Sequence, residues 1–171
     1  MQRMAEKFGF NTTQLRDLPG QARSLYPRDM EPSQTALAGI GQFDVTATPL
    51  QMATVTAAIA NDGVLMRPYV VDQVLAPNLD VLDQTEREAL PRVMKTSTAR
   101  ELNKMMVATV TSGTATNAQI PGELVGGKTG TAQSSKDRPP YAWFVSFAPA
   151  DNPQVAVAVM VESSDTSRPE I

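Results

Sequence analysis

Histidine and cysteine are both absent from this chain of 171 residues. Without cysteine there is no disulfide, no thiolate nucleophile and no cysteine-bound zinc, and the redox compartment is unreadable. Without histidine the Ser-His-Asp arrangement and the histidine-based metal sites drop out as well. Any base in the chemistry of this chain must therefore be lysine, a carboxylate or a group outside it. Excess positive charge is missing too. The formal net charge is −3 and the pI is near 5.0, so there is no electrostatic footprint for nucleic acid. No apolar run approaches the roughly 20 residues needed to span a bilayer. No charged-then-apolar N-terminal signal and no internal repeat is visible. The length suits one ordinary domain with a sizeable core.

What the chain does have is the stretch Val125-Gly126-Gly127-Lys128-Thr129-Gly130-Thr131-Ala132-Gln133. If it is extended, Thr129 and Thr131 face the same way. Gly130 between them offers no side chain and permits close approach by a ligand or another backbone. Two hydroxyls, one lysine and an accessible main chain suit a carboxylate, and equally an oxyanion that needs a backbone N–H. Residues 122–129 also satisfy the phosphate-binding pattern G-x-x-x-x-G-K-[ST]. That pattern requires a strand before it and a helix beginning at the lysine. Residues 114–121 are instead polar and end in Pro121. Gly130 and the stretch 134–140, with its two prolines, leave little room for a helix afterwards. Only the apolar run 155–161, ending at Glu162, favours a nucleotide hydrolase, which stands as the weaker alternative.

In chain order, residues 1–8 read as the last turns of a helix, with Met1, Met4 and Phe8 on one face and Gly9 closing it. This helix has no N-cap of its own, so Met1 is expected inside or just after a helix of a longer parent. Residues 11–32 are polar and punctuated by Pro19, Gly20, Pro27 and Pro32, which predicts a long surface loop. Asn11-Thr12-Thr13 matches a glycosylation sequon, and chance is the simpler explanation. Residues 48–60 carry the clearest helix grammar. Thr48 can cap, Pro49 fits the first position, and Gln51 completes a capping box. Leu50, Val55, Ile59 and the alanines form a narrow apolar stripe, and Asn61-Asp62-Gly63 ends the helix.

Residues 69–75 read as a strand and 76–80 as a turn. Asp80, Asp83, Glu86 and Glu88 are too irregularly spaced for a cation site and read as a solvated loop. A second helix is expected from Ser97 or Thr98, with Leu102, Met105, Met106 and Val110 on one face and Ser112-Gly113 as its stop. Residues 124–133, 141–148 and 154–161 read as three strands. Their short connections imply an antiparallel meander. The last strand is apolar on both faces and is expected to be covered on both. The fold class is α/β (α+β), with helices flanking an antiparallel sheet. A helical and loop part over 1–110, a β-meander over 120–162 and a polar tail over 163–171 make up one portion of a single domain.

The surroundings of Lys128 carry a resemblance. Gly127-Lys128-Thr129-Gly130-Thr131-Ala132-Gln133 resembles the G-K-T-G-T-A-Q element of penicillin-binding protein transpeptidase domains. Residues 141–149, Tyr-Ala-Trp-Phe-Val-Ser-Phe-Ala-Pro, resemble the aromatic strand that follows it. Ile40-Gly41-Gln42, residues 48–53 and Ala60-Asn61-Asp62-Gly63 are similar to a block upstream of the lysine. The likeness runs from about Phe8 to Val161 and is nearest to the class B, actinobacterial penicillin-binding protein A type. Phe43 stands where relatives often have glycine, and is expected to alter a turn without touching a motif.

The resemblance implies the transpeptidase fold and a serine acyl-enzyme mechanism acting on acyl-D-Ala-D-Ala stem peptides, with β-lactams as substrate mimics. It assigns Lys128 the positive charge of the site. Thr129 and Thr131 hydroxyls hold the ligand carboxylate, the Thr131 main-chain N–H is an oxyanion donor, and Gly130 keeps the strand edge open. No cofactor and no metal are implied. The family's nucleophile lies in S-x-x-K and a second element is S-x-N. No serine here has lysine three residues on or asparagine two on. Both elements are expected upstream, so the chain is expected to be the C-terminal half of the domain, inactive alone. Its other implied partners are that upstream half and cell-division or elongation proteins. The implied place is the extracytoplasmic face of the bacterial membrane, with the anchor outside this chain. An inactive paralogue acting as a binding module is the second reading.

Overall fold

The computed structural model describes residues 1–133 and 139–162. The stretch 134–138 and the tail 163–171, read above as loop and polar tail, lie outside the described residues. Among the described residues four α-helices, α1 (Gln2–Lys7), α2 (Pro32–Ala38), α3 (Pro49–Ala60) and α4 (Thr96–Ser112), accompany five strands. These are β1 (Gln73–Leu75), β2 (Val81–Gln84), β3 (Gly126–Ala132), β4 (Tyr141–Ala148) and β5 (Val155–Val161). The last three form an antiparallel sheet in the order β3-β4-β5, while β1 and β2 make a separate hairpin. Helices packed on an antiparallel sheet give the α/β class expected from the sequence.

The sheet is held from below by α3, which packs on β5, and by α4, which packs on β3. Phe147 of β4 is the centre of this contact, 1% exposed among Met106, Ala150, Ile59, Ala60 and Ala156. A second cluster joins Val110, Ala115 and Val125, with Phe144 packed against it. Alternation along β4 sends Phe144 and Phe147 to opposite faces, so both faces of the strand are anchored.

Helix α3 begins as its sequence dictates. Pro49 takes the first turn and the Thr48 hydroxyl accepts the Gln51 N–H at 3.1 Å. The capping box is only half made, however. Gln51 sends its side-chain amide to the Phe8 carbonyl at 2.7 Å, and the Thr48 N–H donates to Ser24 Oγ at 3.0 Å. The apolar stripe is also not the buried face. Gln51, Thr54, Thr56 and Ala58 are buried, whereas Leu50, Val55 and Ile59 are half-buried. The helix is wedged between the sheet and the segment after α1, so it buries more than one side. Its threonines are tolerated there because they bond within the helix, Thr54 to the Gln51 carbonyl and Thr56 to that of Met52.

Other departures have similar causes. Phe8 packs between two clusters, but Met1 and Met4 are exposed. The stretch 11–32 is irregular, yet it buries Leu15, Ser24 and Tyr26 and is not purely surface. Asn11 fastens it, donating to the Tyr26 carbonyl and accepting the Tyr26 N–H, both at 3.0 Å. Helix α2 has no counterpart in the sequence reading. A reach back from Gln34, whose Oε1 accepts the Glu31 N–H at 2.9 Å, starts it. In 69–75 only three residues are strand, because Asp17 already takes the Val70 and Val71 N–H groups at 2.6 and 2.7 Å. Strand β2 falls in the stretch read as an acidic loop. On α4, Met106 and Val110 are buried but Met105 is exposed. Finally, β5 is covered on one face only. Val155, Val157, Val159 and Val161 are all exposed.

Candidate functional site

Lys128 sits in the middle of β3, and the glycines before it explain how the strand lies. A Cβ built on Gly126 would come within 2.4 Å of the Phe147 ring. On Gly127 it would meet the Phe144 ring at 2.8 Å and Val110 of α4 at 3.1 Å. Glycine at both positions lets the two phenylalanines and α4 close directly on the backbone. That packing role is absent from the sequence reading, since the contacts come from distant segments.

Beyond Lys128 the strand opens. The lysine is exposed, and its Nζ donates to the Thr129 carbonyl at 2.8 Å. Thr129 is half-buried and its hydroxyl shares a hydrogen bond of 2.9 Å with that of Thr114, just after α4. Gly130 and Thr131 are exposed, and a Cβ on Gly130 would meet only the Trp143 Cβ, at 3.3 Å. Pairing with β4 runs from Gly126 opposite Phe147 to Ala132 opposite Tyr141. β3 is therefore an edge strand, and half of its N–H and C=O groups point away from β4. All four predicted residues, Lys128, Thr129, Gly130 and Thr131, thus lie on one accessible edge. Thr129 and Thr131 share a side of the strand, as alternation requires.

This geometry overturns the phosphate-loop reading. Lys128 is mid-strand and no helix opens there, so no N-terminal cluster of N–H groups can cradle a phosphate. β5, whose run ends at Glu162, is separated from β3 by β4.

Beside the end of β3 lies an open groove of about 540 Å³. Leu37, Ile40, Gln42 and Phe43 form one wall, and Thr131 and Gln133 the other. Phe43 adopts φ 62°, a left-handed backbone that favours glycine, and follows Gly41 at φ 74°. This corrects the expectation that Phe43 touches no motif. It lines the same groove as Thr131.

The charged pairs lie elsewhere. Arg100 holds the Asp62 carboxyl below its usual range through paired hydrogen bonds of 3.0 and 2.9 Å. Arg67 does the same for Glu88, at 2.7 and 3.1 Å, with Arg16 adding charge. Asp80, Asp83 and Glu86 are exposed and, among the described residues, share no such pair with them.

The sequence matches the penicillin binding protein transpeptidase domain over residues 1–170. It is 40% identical over 162 residues to the peptidoglycan D,D-transpeptidase PbpA of Mycolicibacterium smegmatis, covering 93% of this chain and 33% of that protein. It is 33% identical over 167 residues to the stage V sporulation protein D of Bacillus subtilis, covering 91% of this chain and 25% of that one. Among solved structures it resembles penicillin-binding protein A from M. tuberculosis in an imipenem acyl-enzyme complex. There the TM-score is 0.85 at 39% identity, over 93% of this chain and 36% of that one. Penicillin-binding protein 3 of the mycobacterium, complexed with aztreonam, aligns with a TM-score of 0.87 at 30% identity, over 96% and 40%. The chain spans about a third of the length of the PbpA relatives it matches.

Proposed function

The chain belongs to the penicillin-binding protein transpeptidase family, and from that premise we propose that it is the C-terminal portion of the domain of a peptidoglycan D,D-transpeptidase. The observation that carries this is the open edge of β3, with Lys128, Thr129, Gly130 and Thr131 accessible in a row. In the parent a serine outside this chain attacks the carbonyl carbon of an acyl-D-Ala-D-Ala stem peptide. The C–N bond to the terminal D-alanine breaks, that amine leaves with a proton, and the acyl group passes to the amine of a neighbouring stem. The N–H of Thr131 stabilises the oxyanion as it forms. The Thr129 and Thr131 hydroxyls hold the ligand carboxylate in the field of Lys128, and Gly130 lets the ligand backbone lie against the strand. A β-lactam meets the same groups and stays on the serine.

The nucleophile is assigned to the rest of the parent because no serine of this chain has the S-x-x-K spacing. The chain alone is then inactive. The parent works at the extracytoplasmic face of the bacterial membrane, where division or elongation proteins recruit it. A fluorescent penicillin tests the reading. The parent should be labelled covalently, and when it is produced as two co-expressed pieces the label should sit on the upstream piece. Covalent label on the 171-residue chain alone would overturn the assignment of the nucleophile.

A further inference from the structure

Every residue of β1 and β2 is exposed, and Val74, Leu75, Leu79, Val81 and Leu82 are between 45% and 76% exposed. Two strands alone make a marginal sheet, which a third strand or a packed helix normally completes. This hairpin is nevertheless anchored at its base. Asp17 takes the Val70 and Val71 N–H groups, and the Thr85 hydroxyl donates to the Val71 carbonyl at 2.6 Å. An apolar surface held out this firmly marks a place for a partner.

The two outer edges of the hairpin differ. On β2 the register skips Leu82, a bulge, and Asp83 Oδ1 accepts the outward Gln84 N–H at 3.0 Å, so that edge is blunted. β1 has neither device. Asp72 accepts the Thr85 N–H at 2.9 Å and Ala76 donates to the Asp80 carbonyl at 2.8 Å, so residues 72, 74 and 76 face β2. Gln73 and Leu75 therefore turn their N–H and C=O groups outward, to an open edge. Charge selects what can come there. Asp72, Asp80, Asp83 and Glu86 are exposed, and no lysine or arginine lies between Arg67 and Arg87. That field repels an anionic lipid surface. It also repels a second copy, whose own β1 would bring the same carboxylates alongside.

We propose that β1 is a docking edge for an extended, lysine- or arginine-bearing segment of a partner protein, which adds to the hairpin as its third strand. The backbone of that segment pairs with Gln73 and Leu75. Its apolar side chains extend the faces that carry Val74 and Leu75, and its cations answer the carboxylates of the hairpin.

Photocrosslinking tests this, with Gln73 replaced by p-benzoylphenylalanine in the full-length parent in its own cells. Irradiation should join the parent to another protein, at a peptide that carries lysine or arginine among apolar residues. That peptide, synthesised, should bind the purified parent, and added salt should weaken the binding. Leu75→Pro removes one outward N–H, sets a ring in the path of the incoming strand and leaves the bonds to β2, so it should weaken binding about tenfold. Asp72→Lys combined with Asp80→Lys, which keeps the backbone unchanged, should weaken it as well. In both variants the Val74 and Ala76 amides should stay protected from hydrogen exchange, and acylation by penicillin should be unaltered. The docking edge is overturned by no adduct, or by an adduct with lipid, with a second copy, with another part of the same parent or with a segment lacking cations. A peptide that fails to bind the parent, or binds both variants as tightly as wild type, overturns it too. Each of these outcomes leaves β3 in its role.

Discussion

The hydroxyls of Thr129 and Thr114 are 2.9 Å apart, tying the candidate ligand-binding strand to the turn that follows α4. When Thr114 supplies the proton of this bond, the Thr129 proton is free for an incoming carboxylate. Thr114→Val keeps the shape and removes the partner. One hydrogen bond of this kind contributes about 1 kcal/mol, so acylation of the parent by penicillin should slow about fivefold. Thr114→Ser should restore it. Stopped-flow acylation rates decide the matter, and a Thr114→Val rate equal to wild type would make the contact incidental.

The glycines of β3 divide into two kinds, and alanine substitution should separate them. A Cβ on Gly126 would lie 2.4 Å from the ring of Phe147, which is 1% exposed and has nowhere to go. Gly126→Ala should therefore destabilise the parent by about 1–3 kcal/mol, read as a lower urea midpoint. A Cβ on Gly130 meets only Trp143 Cβ at 3.3 Å, so Gly130→Ala should unfold at nearly the wild-type midpoint. It should nevertheless slow acylation, because the methyl stands on the open edge of the strand. A larger loss of stability in Gly130→Ala than in Gly126→Ala would reverse these roles.

The sheet and the lysine were legible because their signals are local. The aromatic and apolar runs of β4 and β5, short turns between strands and the Lys-Thr-Gly run need no distant partner to be seen. So was the start of α3, where Thr48 and Pro49 act on their own helix. Helix α2 and strand β2 were not, since seven and four residues carry too little periodicity to register. The burial of Gln51 follows from the Phe8 carbonyl, and the strand at 69–75 was shortened by Asp17. The groove beside Thr131 depends on a turn far upstream in sequence, so Phe43 gave no sign of reaching the site.

Acid should unfold the protein partly through Asp62 and Glu88. Arg100 and Arg67 hold the two carboxyls below their ordinary values in the folded state. The unfolded chain therefore binds these protons first as pH falls. Their contribution is fully present above the ordinary carboxylate pKa, about 4, and is lost as pH drops through the lowered folded values. Between about pH 6 and 8 these pairs should leave the urea midpoint flat. Asp62→Asn tolerates the left-handed φ 52° at this position and removes the charge. It should weaken the dependence below about pH 4, and salt should do so in wild type, because the pair is exposed. An acid limb identical in Asp62→Asn would exclude the Arg100 pair as a contributor.

Lys128 gives the most direct measure of what β3 does. Its side chain is exposed and its hydrogen bond goes to the adjacent Thr129 carbonyl, so the fold has little need of it. Lys128→Ala should leave the stability of the parent, read from urea unfolding, within about 0.5 kcal/mol of wild type. Against a bound carboxylate the same ammonium makes a charge-assisted contact worth roughly 1.5–3 kcal/mol. If that contact strengthens in the transition state, acylation by penicillin should slow about ten- to a hundredfold. The loss should shrink at high salt, since added ions screen the wild-type lysine and leave the alanine variant unaffected. Lys128→Arg should recover only part of the rate, because a planar fork does not reproduce a compact ammonium. A folded Lys128→Ala parent with unchanged acylation kinetics would reduce the lysine to a surface charge on a structural strand.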